Sequence, residues 1–154
     1  MRRYFGAVVL LCAMATAAHA ESFTFSARTS VVNRVIAPVA GSKTIVAQFS
    51  TGDIQAVYPA RTVRSKAECA TWPAPPGGMF TTSGACVATD PDESSYTVVV
   101  SCRFVDDKNA VSDCFGQLTG VAGAYQGRTG TVSWRSTSSA DGRESSAQGT
   151  GLWN

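Results

Sequence analysis

The strongest secondary-structure signal in this chain is Tyr96-Thr97-Val98-Val99-Val100-Ser101-Cys102-Arg103-Phe104. Every second residue from Tyr96 to Phe104 is apolar or a cysteine, and the residues between them include threonine, serine and arginine. A strand places successive side chains on opposite faces, so this alternation predicts a β-strand with one buried face. Cys102 lies on that buried face, which favours a structural disulfide at this position.

The same alternation surrounds Phe23 and Phe25 near the start of the chain and Val132 and Trp134 near its end. Residues 21–154 hold fifteen valines and fifteen threonines but only two leucines and one methionine, a composition typical of pleated sheets rather than helices. Turn signals recur at spacings of about 8 to 12 residues. We therefore expect an all-β fold, a small antiparallel barrel of seven to eight strands stapled by disulfides.

The pattern does not decide the secondary structure of residues 31–40, because Pro38 interrupts the apolar run there. Proline cannot donate a backbone hydrogen bond, so it is found on edge strands and not in central ones. An edge strand, a short helix and a lid are all compatible with this segment.

The first twenty residues have the pattern of a secretory signal peptide. Arg2 and Arg3 precede an almost wholly apolar stretch from Gly6 to Ala18, and Ala18-His19-Ala20 is a small-x-small cleavage site. The apolar stretch is shorter than the roughly 20 residues that a membrane-spanning helix needs. We expect cleavage after Ala20, a single domain at 21–154, a periplasmic or extracellular location and no remaining membrane span.

The composition of the chain without this leader excludes several classes of function. The leader holds two of the 13 basic residues and none of the 11 acidic ones, so the remaining chain is formally neutral. This balance offers no electrostatic argument for nucleic acid as a partner. The only histidine, His19, also leaves, which excludes Ser-His-Asp and Cys-His catalysis and removes the commonest zinc ligand. Together with the lack of any catalytic motif, this argues against an enzyme, and no cofactor is expected.

Four cysteines remain after cleavage, an even number in a chain bound for an oxidising compartment, so two disulfides are expected. Four cysteines allow three pairings. Loops centred between the members of each pair favour Cys69 with Cys86 and Cys102 with Cys114, since each pair then faces itself across a hairpin. A zinc site of four thiolates is the rival, but the chain has no C-x-x-C spacing.

The segment from Gly120 to Gly130 reads Gly-Val-Ala-Gly-Ala-Tyr-Gln-Gly-Arg-Thr-Gly and leads into the strand around Trp134. It resembles the glycine-rich hairpin of secreted barrels of the allene oxide cyclase and dirigent type. This resemblance implies an eight-stranded antiparallel barrel, calycin-like in shape, whose apolar mouth can hold a small hydrophobic molecule. It carries over no catalytic residue, because no position outside the glycine segment aligns with that family.

The acidic run Asp90-Pro91-Asp92-Glu93 could offer oxygen ligands to calcium, but the spacing of an EF-hand loop is missing. We interpret it as an ordinary solvated turn, and we expect no metal site.

Three functional hypotheses follow. The first is a binding domain that holds a small hydrophobic ligand in the barrel mouth. The second is a protein-binding, inhibitor-type module that uses exposed loops around Trp72 and Gly77, with a filled barrel. The third is a cyclase-like isomerase, which needs a carboxylate or arginine inside the barrel. The candidate ligand-binding residues are Phe23, Phe25, Tyr96, Phe104, Tyr125, Arg128 and Trp134.

Overall fold

The computed structural model describes residues 20–39, 42–106, 108 and 110–154. Residues 1–19, which make up nearly all of the expected signal peptide, lie outside this part. The strands are β1 (Glu21–Val39), β2 (Ser42–Val57), β3 (Thr62–Pro73), β4 (Thr82–Thr89), β5 (Ser95–Asp106), β6 (Val111–Ala122), β7 (Thr129–Ser138) and β8 (Glu144–Trp153). A 3₁₀ turn, Gly123–Tyr125, follows β6. None of the described residues forms a helix long and apolar enough to cross a membrane.

The eight strands form a closed antiparallel barrel in which each strand pairs with the next and β8 pairs with β1. This confirms the predicted fold class. Closure satisfies the backbone groups that an open sheet would leave at its two edges.

The barrel has two different ends. The termini end carries the start of β1, the end of β8 and the connections β2–β3, β4–β5 and β6–β7. The hairpin end carries the four connections β1–β2, β3–β4, β5–β6 and β7–β8. Because the strands alternate in direction, every candidate residue can be assigned to one of these two ends by its place along its strand.

The alternation seen in the sequence decides which side chains enter the barrel. Tyr96, Val98 and Val100 of β5 are buried, whereas Val99 between them is exposed on the outside. The core contains the inward side chains of the other strands as well: Phe23, Ala56, Tyr58, Ala88, Leu118, Tyr125, Val132 and Trp153. Several of them are large aromatic residues, so the interior of the barrel contains a packed core.

Inward-facing glycines leave space for the ring of Phe23 and for the backbone of Tyr125. A Cβ at Gly151 would lie 2.2 Å from Cζ of Phe23, and a Cβ at Gly120 would lie 1.6 Å from the carbonyl oxygen of Tyr125. Neither position can carry a side chain without movement of its neighbour. Part of the glycine-rich composition therefore serves the close packing of two aromatic residues.

The strands β1 and β2 continue beyond the barrel at the hairpin end. β1 pairs with β8 only as far as Ser30, and β2 pairs with β3 only from Gln48 onward. The residues beyond these points, Val31–Val39 and Ser42–Ala47, form a two-stranded extension that we call the ribbon. The uncertain segment 31–40 is thus strand as far as Val39, with Pro38 near its tip.

Both predicted disulfides are present. Cys69 of β3 lies opposite Cys86 of β4, and Cys102 of β5 lies opposite Cys114 of β6. Each bridge therefore joins neighbouring strands of one hairpin, as the positions of the loops predicted.

Candidate binding surfaces of the barrel

The termini end of the barrel is filled by an aromatic plug, formed by Phe23, Tyr58, Tyr96, Tyr125 and Trp153. The rings of Tyr125 and Trp153 are stacked with centroids 5.0 Å apart, and the Tyr96 ring meets both of them edge-on. Phe23 packs against Tyr58 at 5.0 Å. These contacts fill the interior of the barrel at this end.

A buried carboxyl group, in the β4–β5 connection, contacts the plug. Asp90 is 8% exposed, and its two oxygens accept hydrogen bonds from different hydroxyl groups. Ser65 donates to Oδ1 at 2.6 Å, and Tyr125 donates to Oδ2 at 2.7 Å. Next to them, the indole N–H of Trp153 donates to the hydroxyl of Tyr58 at 3.2 Å. A buried carboxyl group is costly unless it is hydrogen-bonded, so this network is what allows Asp90 to lie inside the barrel.

Two tyrosines of the plug are held in the neutral form. Burial raises the pKa of Tyr125 well above its ordinary value, and its hydrogen bond to Asp90 raises it further. Burial also raises the pKa of Tyr96, while a hydrogen bond with Ser65 acts in the opposite direction. Both hydroxyls are therefore hydrogen-bonding groups at neutral pH, and neither acts there as a base.

A charged cluster lies over the outside of the same end. Arg61 and Arg128 each approach Glu21 at 3.1 Å. The guanidinium of Arg61 also lies over the Tyr58 ring at 4.4 Å, and that of Arg128 lies 5.4 Å from the Trp153 ring. Arg128 is thus paired with a carboxylate and covers the plug from outside.

The seven candidate ligand-binding residues do not form one cavity. Phe23, Tyr96 and Tyr125 belong to the plug, and Arg128 lies outside it. Phe25 and Trp134 are half-buried further along the barrel, with ring centroids 6.1 Å apart. Phe104 lies on β5 beyond the last β4–β5 pair, at the hairpin end, and is 49% exposed.

Exposed apolar side chains are concentrated at the hairpin end. Trp72, the predicted partner-binding residue, is 43% exposed at the end of β3, and Met79 in the following loop is 70% exposed. Of the fifteen large apolar side chains exposed among the described residues, nine lie at this end: Val32, Val35, Ile36, Ile45, Phe49, Trp72, Met79, Phe104 and Val105. We call this surface the apolar end.

A second apolar surface lies on the outer wall. It is an open groove of about 1170 Å³ formed mainly by outward-facing residues of β5 to β8, β1 and β2. Val99, Phe115 and Leu152 supply large apolar groups, and serines, threonines and Gln117 lie between them. None of the eighteen residues that line the groove is an aspartate, glutamate, lysine or arginine. The groove therefore suits an uncharged ligand.

Sequence reasoning missed the role of Asp90. The Asp-Pro-Asp-Glu run is indeed a turn, but its first carboxyl group points into the barrel and is not solvated. The signal that could have revealed it is position, since Asp90 follows the inward-facing Ala88 by two residues. Within the described ranges, no group of three or more metal-ligating side chains could hold a metal ion.

No family model matches this chain, and a search of curated proteins finds no similar sequence.

Proposed function

We propose that this protein is an exported binding module that recognises another protein through the apolar end of its barrel. The observation that carries this proposal is the concentration of exposed apolar side chains, Trp72 and Met79 among them, at one end of the molecule. Large exposed apolar patches are typical of interaction surfaces, and tryptophan is enriched among the residues that dominate binding energy.

The contrast between the two ends supports the same function. The termini end is closed by the plug and covered by the Glu21 cluster, so it offers a charged surface over a filled interior. A barrel that is filled at one end and exposes apolar side chains at the other fits a protein-binding module. Export is supported by the two disulfides, which form and persist in oxidising compartments.

Site-specific photocrosslinking in the native host tests this function. A benzoylphenylalanine placed at Met79 should give a discrete crosslinked protein, and the same group at the exposed Ala60 of the termini end should not. Trp72→Ala should lower crosslinking from position 79 by about 30-fold, since a dominant interface residue contributes about 2 kcal/mol. Equal crosslinking from positions 60 and 79, or an unchanged yield with Trp72→Ala, would contradict the proposal.

The outer groove supports a second candidate function, the binding of a small neutral hydrophobic molecule. Its size exceeds the usual 300 to 1,000 Å³ of ligand pockets only slightly, and its lining combines apolar groups with hydroxyls. For this second function the ligand would lie on the outer wall of the barrel, because the plug fills one end of the interior.

A neutral dye such as Nile red tests the second candidate. Val99→Lys places a charge in the groove and should abolish the increase in dye fluorescence. Val87→Lys is the matched control, because Val87 is also exposed on the outside but does not line the groove. Equal fluorescence in both variants would reject the groove as a ligand site.

A further inference from the structure

The two long edges of the ribbon differ in how they are protected. On the β1 edge, the N–H of Val31 donates to the carbonyl of Arg143, and the guanidinium of Arg34 bonds to the carbonyl of Gly142. Pro38 further along has no N–H to offer. Contacts and prolines of this kind are how proteins protect strand edges from pairing with other chains.

The β2 edge lacks this protection in the described part of the chain. Ser42–Ala47 pair with β1 on one side, and β3 begins to pair with β2 only at Gln48, opposite Thr71. About half of the backbone N–H and C=O groups of a strand point to each side. The outer edge of Ser42–Ala47 therefore presents a row of backbone donors and acceptors that another strand could satisfy.

The side chains around this edge are suited to an apolar strand. Ile45 on β2 and Ile36 opposite it on β1 are both exposed, Ile36 by 57%. Trp72 follows Thr71 directly, at the point where β3 separates from β2. A strand added along Ser42–Ala47 would lie where β3 would have continued, beside the exposed indole of Trp72.

The charge of the ribbon indicates which kind of strand would pair with its β2 edge. From Val31 to Phe49 the sequence contains Arg34 and Lys43 and no acidic residue. Two ribbons pairing with each other would bring together only positive charges, which disfavours a second copy of this chain. An acidic residue in the incoming strand would complement them.

We propose that the Ser42–Ala47 edge receives an extended segment of a partner protein as an additional β-strand, a segment with alternating apolar residues and flanking acidic ones. This inference rests on the protein-binding function proposed above and names the mode of recognition. Main-chain hydrogen bonds supply affinity, while contacts with Ile45 and Trp72 and the positive ribbon supply specificity.

Three labelled peptides test this mode with the intact protein. The first is Glu-Val-Thr-Val-Thr-Val-Glu, the second carries N-methyl groups on alternate amides, and the third has lysines in place of both glutamates. Fluorescence anisotropy should show binding of the first with a Kd of about 10 to 100 μM. The N-methylated and lysine peptides should each bind at least about tenfold more weakly.

Variants and hydrogen exchange locate the binding. Ile45→Asn removes the apolar contact without changing the charge and should abolish binding of the first peptide, whereas Val121→Asn, the same kind of change at an exposed residue near the termini end, should not. The amides that become protected from exchange should lie within Ser42–Ala47. Binding that survives N-methylation, no binding of any peptide at 1 mM, or protection of these amides by dimerisation of the protein itself would overturn the proposal.

The experiments separate the two proposals. If position 79 crosslinks to a partner while N-methylation leaves peptide binding unchanged, strand addition is wrong and protein binding stands. If no crosslink forms from position 79 but the first peptide binds through its backbone, the edge is a strand acceptor and the partner does not reach the loop that carries Met79.

Discussion

Tyr125→Phe removes one hydroxyl from the interior of the barrel and leaves the rest of the plug in place. The ring of Tyr125 is 2% exposed and stacks on Trp153, and phenylalanine can make the same ring contacts. What is lost is the hydrogen bond from the hydroxyl to Oδ2 of Asp90, at 2.7 Å. We expect the variant to fold into the same barrel with reduced stability.

The expected loss of stability depends on the carboxyl group that accepts this hydrogen bond. A hydrogen bond to a charged group contributes about 1.5 to 3 kcal/mol, and here the acceptor also loses its partner inside the core. Globular proteins gain roughly 2.1 cal/mol/K of unfolding entropy per residue, so for a barrel of the 134 residues from Glu21 to Asn154 each 1 kcal/mol corresponds to about 3.6 °C. Tyr125→Phe should therefore lower Tm by about 5 to 11 °C.

Calorimetry and urea unfolding measure this difference, with circular dichroism as a check that the barrel remains. Tyr58→Phe is the matched control, because its hydroxyl accepts a hydrogen bond from the neutral indole of Trp153. That variant should lose only about 0.5 to 1.5 kcal/mol. If Tyr125→Phe costs less than Tyr58→Phe, Asp90 does not depend on Tyr125 and our account of the network is wrong.

Three further predictions test the packing, the bridges and the pH response. Gly151→Ala places a Cβ 2.2 Å from a ring atom of Phe23 and should cost about 1 to 3 kcal/mol in urea unfolding; Gly78→Ala, whose nearest contact is 3.6 Å, should change stability by less than about 0.5 kcal/mol. Replacing Cys102 and Cys114 by alanine opens a bridge of sequence separation 12 and should cost about 3 kcal/mol; an unchanged urea midpoint would contradict this. Folding raises the pKa of Tyr96 and of Tyr125, so each contributes its full stabilisation below pH 10, where the tyrosines of the unfolded chain are still protonated. Above that pH, stability should fall by up to about 1.4 kcal/mol per pH unit for each, and a flat profile from pH 9 to 11.5 would refute the assignment.

Local features of the sequence predicted most of the strand framework. The alternation from Tyr96 to Phe104 is a property of neighbouring residues, and it correctly assigned Tyr96 and Val98 to the inside of β5. The disulfide pairing could be predicted for a related reason, since Cys102 and Cys114 are joined by a short hairpin whose register follows from its loop.

The binding surfaces could not be predicted in this way. Phe23 and Trp134 carry the same alternating signal, yet one belongs to the plug and the other is half-buried further along the barrel. Phe104 continues the apolar face of β5 but lies beyond its pairing with β4, where the barrel wall has ended. The pattern tells which face a side chain takes, but how deep it lies depends on where the neighbouring strands stop.

The residue pattern was sufficient to establish that this chain is all-β, that alternate residues of β5 such as Tyr96, Val98 and Val100 face inward, and that two hairpins are bridged. These outcomes depend on contacts between residues near one another in the chain. The tertiary structure alone decided that Asp90 meets Ser65 and Tyr125, that one end is filled, and that the β2 edge of the ribbon extends past β3. Barrel closure explains this difference: the pairing of β1 with β8 and the stagger between all neighbouring strands fix the depth of each side chain, and the alternation of residues within one strand does not contain that stagger.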